Sequence, residues 1–355
     1  MPTESVSLSL LSIISLVSFF IFLVTNKFSN KIKNGILLDS DFKKPQAFHK
    51  ELVPRSGGLA GIISLIIFFI LYYLLFEKFL LDYLVLSIAI FLLGFLEDIK
   101  FKISPNYRLI FMIVILTFFI FFFSIGIKGV DVPFLNAWMD NAIFSTAFIL
   151  LCFLFIMNGA NLVDGFNGLL TIHLLIINII LVFLNLNGGN QNLAWIITGQ
   201  IVVLLSFLVF NFPKAKMFMG DSGSYLFGSL VAFNIIKTNN SNPEVSSFFF
   251  CVILFYLFYE VFFSFFRKIF QKKSPLKPDE IHLHMLVFRK LKKINMKNPN
   301  ALTGLIINLM YLSLILPALF SLTYGQDSAL FYRYWFFGLL GIYTLFYTRL
   351  YKLGK

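Results

Sequence analysis

Residues 107–127 read YRLIFMIVILTFFIFFFSIGI, with a single charge, Arg108, near one edge and no proline. A run of roughly 20 apolar residues is long enough to cross a bilayer as a helix. Lipid accepts only backbone whose polar groups are satisfied within the segment, which also favours a helix. The pattern recurs along the 355-residue chain, at 6–25, 58–76, 79–96, 107–127, 142–157, 168–186, 193–211, 222–236, 247–266, 301–320 and 330–348. Composition agrees: 59% of residues are apolar and 13% charged, with 48 Phe, whereas a soluble domain is about 45–50% apolar and about 25% charged. A water-soluble globule is excluded. The fold class is all-α, a polytopic integral membrane protein of about 11 transmembrane helices, forming one domain over 1–355.

The first run has no Lys or Arg before it and no small-residue cleavage site after it, so it is expected to be retained as a span. Loops on one side of the membrane hold 25 of the 29 Lys and Arg, and the other side holds Lys78, Lys128, Lys237 and Arg333. Basic residues stay cytoplasmic, so the N-terminus is expected outside and the C-terminus in the cytoplasm. Nine carboxylates share the basic side, leaving it a net +16. Such a field suits anionic headgroups and polyanionic ligands, although positive-inside topology alone accounts for much of it. Cys152 and Cys251 both lie in apolar runs. They supply neither a disulfide framework nor a zinc site, and core packing is expected of them.

Polar chemistry gathers in the cytoplasmic loops near 27–57, 97–108, 158–168, 212–222 and 267–300. The first contains Lys43-Lys44-Pro45 and His49, then Val53-Pro54-Arg55-Ser56-Gly57-Gly58. Paired glycines at a helix start allow close backbone approach to a ligand, and helix N-termini favour phosphate, but plain loop chemistry gives the same letters. Glu97-Asp98 closes the third span with Arg108 following. Adjacent carboxylates at a membrane helix end need a cation or water. Asn158, Asn161, Asp164 and Asn167 recur at every third position, a spacing that puts amides and a carboxylate on one face of a helix end. Such a set can hold a nucleotide or a hydrated metal. Gly220-Asp221-Ser222-Gly223-Ser224 opens the eighth span, and its Asp suits either an N-cap or a hard-metal and phosphate site. His282-Leu283-His284 lies in the long basic loop without the further ligands zinc would want. His173, mid-span, is read as a packed helix residue.

Taken in order, these clusters resemble the polyprenyl-phosphate N-acetylhexosamine-1-phosphate transferases. That family includes the undecaprenyl-phosphate GlcNAc-1-phosphate transferases and, more distantly, the phospho-MurNAc-pentapeptide transferase. The likeness runs from about Pro45 to Arg289. It is carried by the acidic pair, the Asn-x-x-Asn-x-x-Asp-Gly-x-x-Gly-Leu loop, Gly-Asp-x-Gly-Ser and His-x-His. Three positions depart from the pattern: Glu97 replaces the first Asp of the pair, Asn167 replaces a second Asp in the Asn-rich loop, and Glu260 replaces an Asp in the ninth span.

The resemblance implies transfer of a sugar-1-phosphate from a UDP-sugar to undecaprenyl phosphate, with release of UMP, at the cytoplasmic face of a bacterial inner membrane. It implies Mg2+, with Mn2+ as its substitute. Asp98, Asp164 and Asp221 form the metal pool, with Asp221 the direct ligand. Asp98, beside Glu97, would accept a proton from the lipid phosphate or orient it. Asn158, Asn161 and Asn167 would position nucleotide or metal waters. His282, His284 and Arg289, with Arg55 and His49, would meet phosphate. No nucleic-acid partner is implied, and family members are often homodimers. Two other classes compete: a transporter of an anionic metabolite or lipid, and a lipid phosphatase or alcohol phosphotransferase. The first would show mid-bilayer charges and broken helices, and the second a nucleophilic His with Arg partners or a run of Asp.

Overall fold

The computed structural model describes residues 4–29, 35–39, 52–101, 103–275, 279–324 and 328–353. Among them are thirteen helices: α1 (Glu4–Phe28), α2 (Gly57–Phe76), α3 (Leu81–Asp98), α4 (Pro105–Phe122), α5 (Pro133–Met139), α6 (Ala142–Val163), α7 (Leu169–Asn187), α8 (Gln191–Asn211), α9 (Gly220–Ser241), α10 (Ser247–Phe270), α11 (Leu283–Lys293), α12 (Pro299–Thr323) and α13 (Ala329–Leu353). Each of the eleven apolar runs is one long helix; α5 and α11 are short additions. The chain is an all-α polytopic membrane protein. Its one departure among the described residues is a two-residue antiparallel ribbon of β1 (Leu38–Asp39) and β2 (Val53–Pro54).

Local chemistry starts these helices. Ser104 caps α4 ahead of Pro105, Asn141 accepts from the Ile143 and Phe144 N–H groups at α6, and Ser246 accepts from Phe248 N–H at α10. Nine of the described helices are long and apolar enough to cross a membrane. The other two long ones, α3 and α9, are the most informative. α3 carries Asp82, Glu97 and Asp98. α9 is rich in Ser, Gly and Asn, yet is buried along nearly all of its length to Thr238. It is the central helix, packed against α2, α3, α6, α7, α8 and α10, and so meets other helices rather than lipid. Small residues let those helices come close, and buried amides bond between them. Asn234 takes the Tyr83 hydroxyl at 2.9 Å and donates to Gln200 at 2.7 Å.

The expectation for the cysteines is not met. Cys152 and Cys251 line an apolar cavity of about 120 Å³ between α6, α9 and α10, and Cys251 is exposed at the outer surface of the bundle. His173 behaves as expected. It lies between the Tyr256 and Tyr311 rings and meets Asn308 at 3.3 Å.

Candidate active site

Five helix ends converge at one end of the bundle: the N-termini of α2, α4 and α9 and the C-termini of α3 and α6. The start of α9 is the hub. Gly220 has φ +76°, and a Cβ there would lie 2.6 Å from Asp98 Oδ2, so the motif's glycine serves both turn and contact. Asp98 is 1% exposed. Its Oδ1 accepts from Asp221 N–H at 2.9 Å, and its Oδ2 accepts from Ser222 N–H at 2.9 Å and from the Ser222 hydroxyl at 2.5 Å. The sequence suggested a carboxylate open to substrate and metal. The structure instead spends both Asp98 oxygens on the unpaired N–H groups and positive dipole end of α9.

Asp221 is the carboxylate left partly open. Its oxygens meet Arg108 Nη1 at 3.4 Å and Asn161 Nδ2 at 3.2 Å, and that amide also reaches the Ser224 hydroxyl at 3.0 Å. Arg108 continues to Glu97 at 3.8 Å and lies 5.8 Å from the Tyr225 ring centre. Asp164 follows the last turn of α6. Burial, reinforced by Asp221 and by Asp98, pushes its carboxyl up to about 7 against the opposing pull of Arg55. Arg55 faces the same group. Burial works against its charge, but Asp39, Asp221 and Asp98 outweigh that and hold its guanidinium above the ordinary value. Its Nε and Nη2 donate to Asp39 at 3.1 and 2.9 Å. Asp39 was missed from sequence because it lies in the basic 27–57 loop with no motif around it; the β1–β2 pairing brings it to Arg55.

Other expected contacts are redirected. The glycines that open α2 spend their N–H groups on protein: Gly57 and Gly58 donate to the Phe218 and Met219 carbonyls, both at 2.9 Å. Asn158 donates to Leu154 O within its own helix. Asn167 ties the Asn-rich loop down, taking part through its N–H with Asn300 Oδ1 at 2.7 Å and through Nδ2 with the Pro213 carbonyl at 2.9 Å. Arg289 is exposed and paired with Glu280 at 2.6 Å. Lys43, Lys44, Pro45 and His49 lie outside the described residues.

The histidines form a second, buried cluster. His282 Nδ1 meets Glu260 at 3.1 Å and Nε2 meets Asp279 at 3.1 Å, so both ring nitrogens are committed to carboxylates. His284 lies parallel to it, with Nδ1 at 3.3 Å from the Tyr256 hydroxyl and its ring against Phe166 of the Asn-rich loop. Burial, with His282 adding to it and Glu260 opposing, lowers His284 to about 4. The expected phosphate donors are thus turned into the protein. Of the nitrogens on these two rings, only His284 Nε2 lacks a partner among the described residues.

The donor set suits magnesium better than zinc. No three His, Cys, Asp or Glu converge as a ready metal cage among the described residues. Mg2+ uses one or two carboxylates and completes its shell with phosphate oxygens and water. Asp221, partly open, and Asp164, whose charge burial and then Asp221 disfavour, fit that requirement.

The sequence pattern of glycosyl transferase family 4 matches residues 80–239, from the start of α3 through most of α9. Similar proteins include the undecaprenyl-phosphate alpha-N-acetylglucosaminyl 1-phosphate transferase of Thermotoga maritima, 30% identical over 79% of this chain and 81% of that one. The chain belongs to glycosyl transferase family 4. The phospho-N-acetylmuramoyl-pentapeptide-transferase of Clostridioides difficile is also similar, 30% identical over 52% of this chain and 61% of its own. The protein is therefore a membrane-embedded transferase, which sets aside the transporter and phosphatase readings. The matched segment of the transferase contains Glu97, Asp98, Arg108, Asn161, Asp164 and Asp221, and leaves Arg55 and the histidine cluster outside it.

Proposed function

We propose that the transferase moves an N-acetylhexosamine-1-phosphate from a UDP-sugar to undecaprenyl phosphate, releasing UMP, on the cytoplasmic face of a bacterial inner membrane. The observation that carries this reading is the meeting of Asp221, Asp164, Arg55, Arg108 and Asn161 at one end of the bundle, in a chain with only 13% charged residues. The names of the relatives support the undecaprenyl phosphate acceptor and an N-acetylated sugar phosphate as the group transferred. The Lys and Arg count supports the cytoplasmic side.

Two anionic substrates must approach each other, and a bound Mg2+ would neutralise phosphate charge. Asp221 and Asp164 would hold it. Arg55 and Arg108 then pair with phosphate oxygens, Arg108 with help from the Tyr225 ring behind it. Asn161 keeps the Asp221 carboxylate turned toward the site. A phosphate monoester is mostly dianionic near neutral pH, with a second pKa of about 6, so the lipid phosphate needs little help from a base. Its oxygen attacks the phosphorus that carries the sugar, and the bond to the UMP phosphate breaks. The polyprenyl tail stays in the bilayer beside the helices.

Purified protein, Mg2+, undecaprenyl phosphate and a panel of UDP-sugars test this directly. UMP release and a lipid-linked sugar diphosphate are expected with a UDP-N-acetylhexosamine. Turnover only with UDP-MurNAc-pentapeptide would favour the second relative's reaction, and no UMP from any donor would overturn the proposal.

A further inference from the structure

Asp98 and Asp221 are joined through backbone: the residue that offers its carboxylate to the site has its own N–H held by Asp98 Oδ1. The contact is close on every side. A Cβ on Gly94 would lie 2.5 Å from Ser222 Cα, and one on Gly220 would lie 2.6 Å from Asp98 Oδ2. The last turn of α3 therefore sits directly on the first turn of α9. Asp98 is 1% exposed and both its oxygens accept from the start of α9, Oδ1 once and Oδ2 twice, so its carboxylate is turned into that helix end rather than toward an open site.

We propose that Asp98 is a positioning residue: with the Ser222 hydroxyl it fixes the first turn of α9 so that Asp221 stays aimed at Arg108 and Asn161, and it neither binds the cation nor takes a proton from substrate. This rests on Asp221 as the cation-holding carboxylate. It differs from the sequence expectation, in which Asp98 is itself a base or ligand. Ser222 gains a role that its place between two motif residues does not reveal: its hydroxyl orients a carboxylate that orients a second one.

The test uses full-length protein in detergent, with Mn2+ binding followed by electron paramagnetic resonance in the absence of substrate. Melting temperature and the Mg2+ dependence of kcat are recorded alongside. Removing the Ser222 hydroxyl takes one charge-assisted hydrogen bond from Asp98, so Ser222→Ala is expected to weaken Mn2+ binding about tenfold. The Mg2+ needed for half-maximal rate should rise by a similar factor, while kcat at saturating Mg2+ stays within about threefold. A directly ligating Asp98, freed of a competing hydroxyl, would hold Mn2+ as well as before or better, and that result would overturn the proposal. Asp98→Asn should shift Mn2+ affinity further in the same direction, with kcat largely restored by saturating Mg2+. Unchanged Mn2+ affinity with a kcat that no Mg2+ concentration restores would make Asp98 the base, and sink the positioning role. Asp221→Ala separates the layers. If it leaves Mn2+ binding intact, the cation assignment fails and takes the proposal with it; if it abolishes binding while Ser222→Ala and Asp98→Asn do not change it, the proposal alone fails.

Discussion

Glu260, 1% exposed within α10, accepts from His282 Nδ1 at 3.1 Å and from Leu283 N–H at 3.2 Å, and so caps α11 while holding the ring that precedes it. Asp279 meets the ring's other nitrogen, Nε2, and Arg267 anchors Asp279 at 2.9 Å. A chain of alternating charges thus fastens the basic loop to the end of α10. The arrangement parallels Asp98 at α9: in each case a buried carboxylate is matched to a helix start.

Breaking that clasp should cost stability first. Glu260→Ala leaves His282 Nδ1 and the Leu283 N–H without their partner, and a loss of about 3 kcal/mol is expected from removing one partner of a buried pair. Glu260→Gln can still accept from Leu283 N–H and should lose less. Thermal unfolding in detergent reads both, and an unchanged melting temperature in Glu260→Ala would show that the clasp carries no weight.

His284 ties stability to pH. Burial lowers it to about 4 in the folded protein, below an unfolded value of about 6.5. Between those values the unfolded state binds more protons, so stability is complete above about pH 6.5 and falls as pH drops toward 4. The loss is at most about 3 kcal/mol by that linkage. His284→Gln should flatten the decline relative to the native protein over the same window; parallel curves would place the acid sensitivity elsewhere.

Gly58 has no room for a side chain. A Cβ there would lie 2.1 Å from Ser222 Oγ and 2.4 Å from Gly223 N, so Gly58→Ala should separate α2 from α9 and destabilise by about 2–3 kcal/mol. A Cβ on Gly165 would meet nothing within 4 Å, so Gly165→Ala should be accepted far more easily. Equal melting temperatures for the two variants would contradict the close approach.

Orientation is open to reporter fusions. A reporter after Lys237 should report the outside and one within 272–300 the cytoplasm, because the basic loops stay inside. A cytoplasmic Lys237 would invert the protein and move the carboxylate cluster to the outer face.

Direct displacement makes an exchange prediction. Asp221 is engaged by Arg108 and Asn161, and Asp98 by α9, which leaves neither poised to attack phosphorus. Labelled UMP should therefore fail to enter UDP-sugar when the lipid acceptor is absent. Exchange without lipid, lost in Asp221→Asn, would point to a phosphoryl-enzyme.

Length of apolar run is a local property, and the eleven long helices were legible in it, nine of them long and apolar enough to cross a membrane, because crossing lipid requires a continuous apolar helix. The polar clusters were legible for the same reason: charge is costly in such a chain, so Asp164 and Asp221 stood out against the apolar background. What each polar side chain touches was not legible. Asp98 and Ser222 are 124 residues apart, and only the packing of α3 on α9 makes one the cap of the other. Sequence likewise could not tell that Gly57 and Gly58 spend their N–H groups on backbone, that Asn167 is spent on Asn300, or that Asp39 reaches Arg55. These choices depend on which helix ends meet, and a buried donor or acceptor takes the nearest partner that tertiary packing supplies, because leaving it unpaired away from water costs more than any local preference can return.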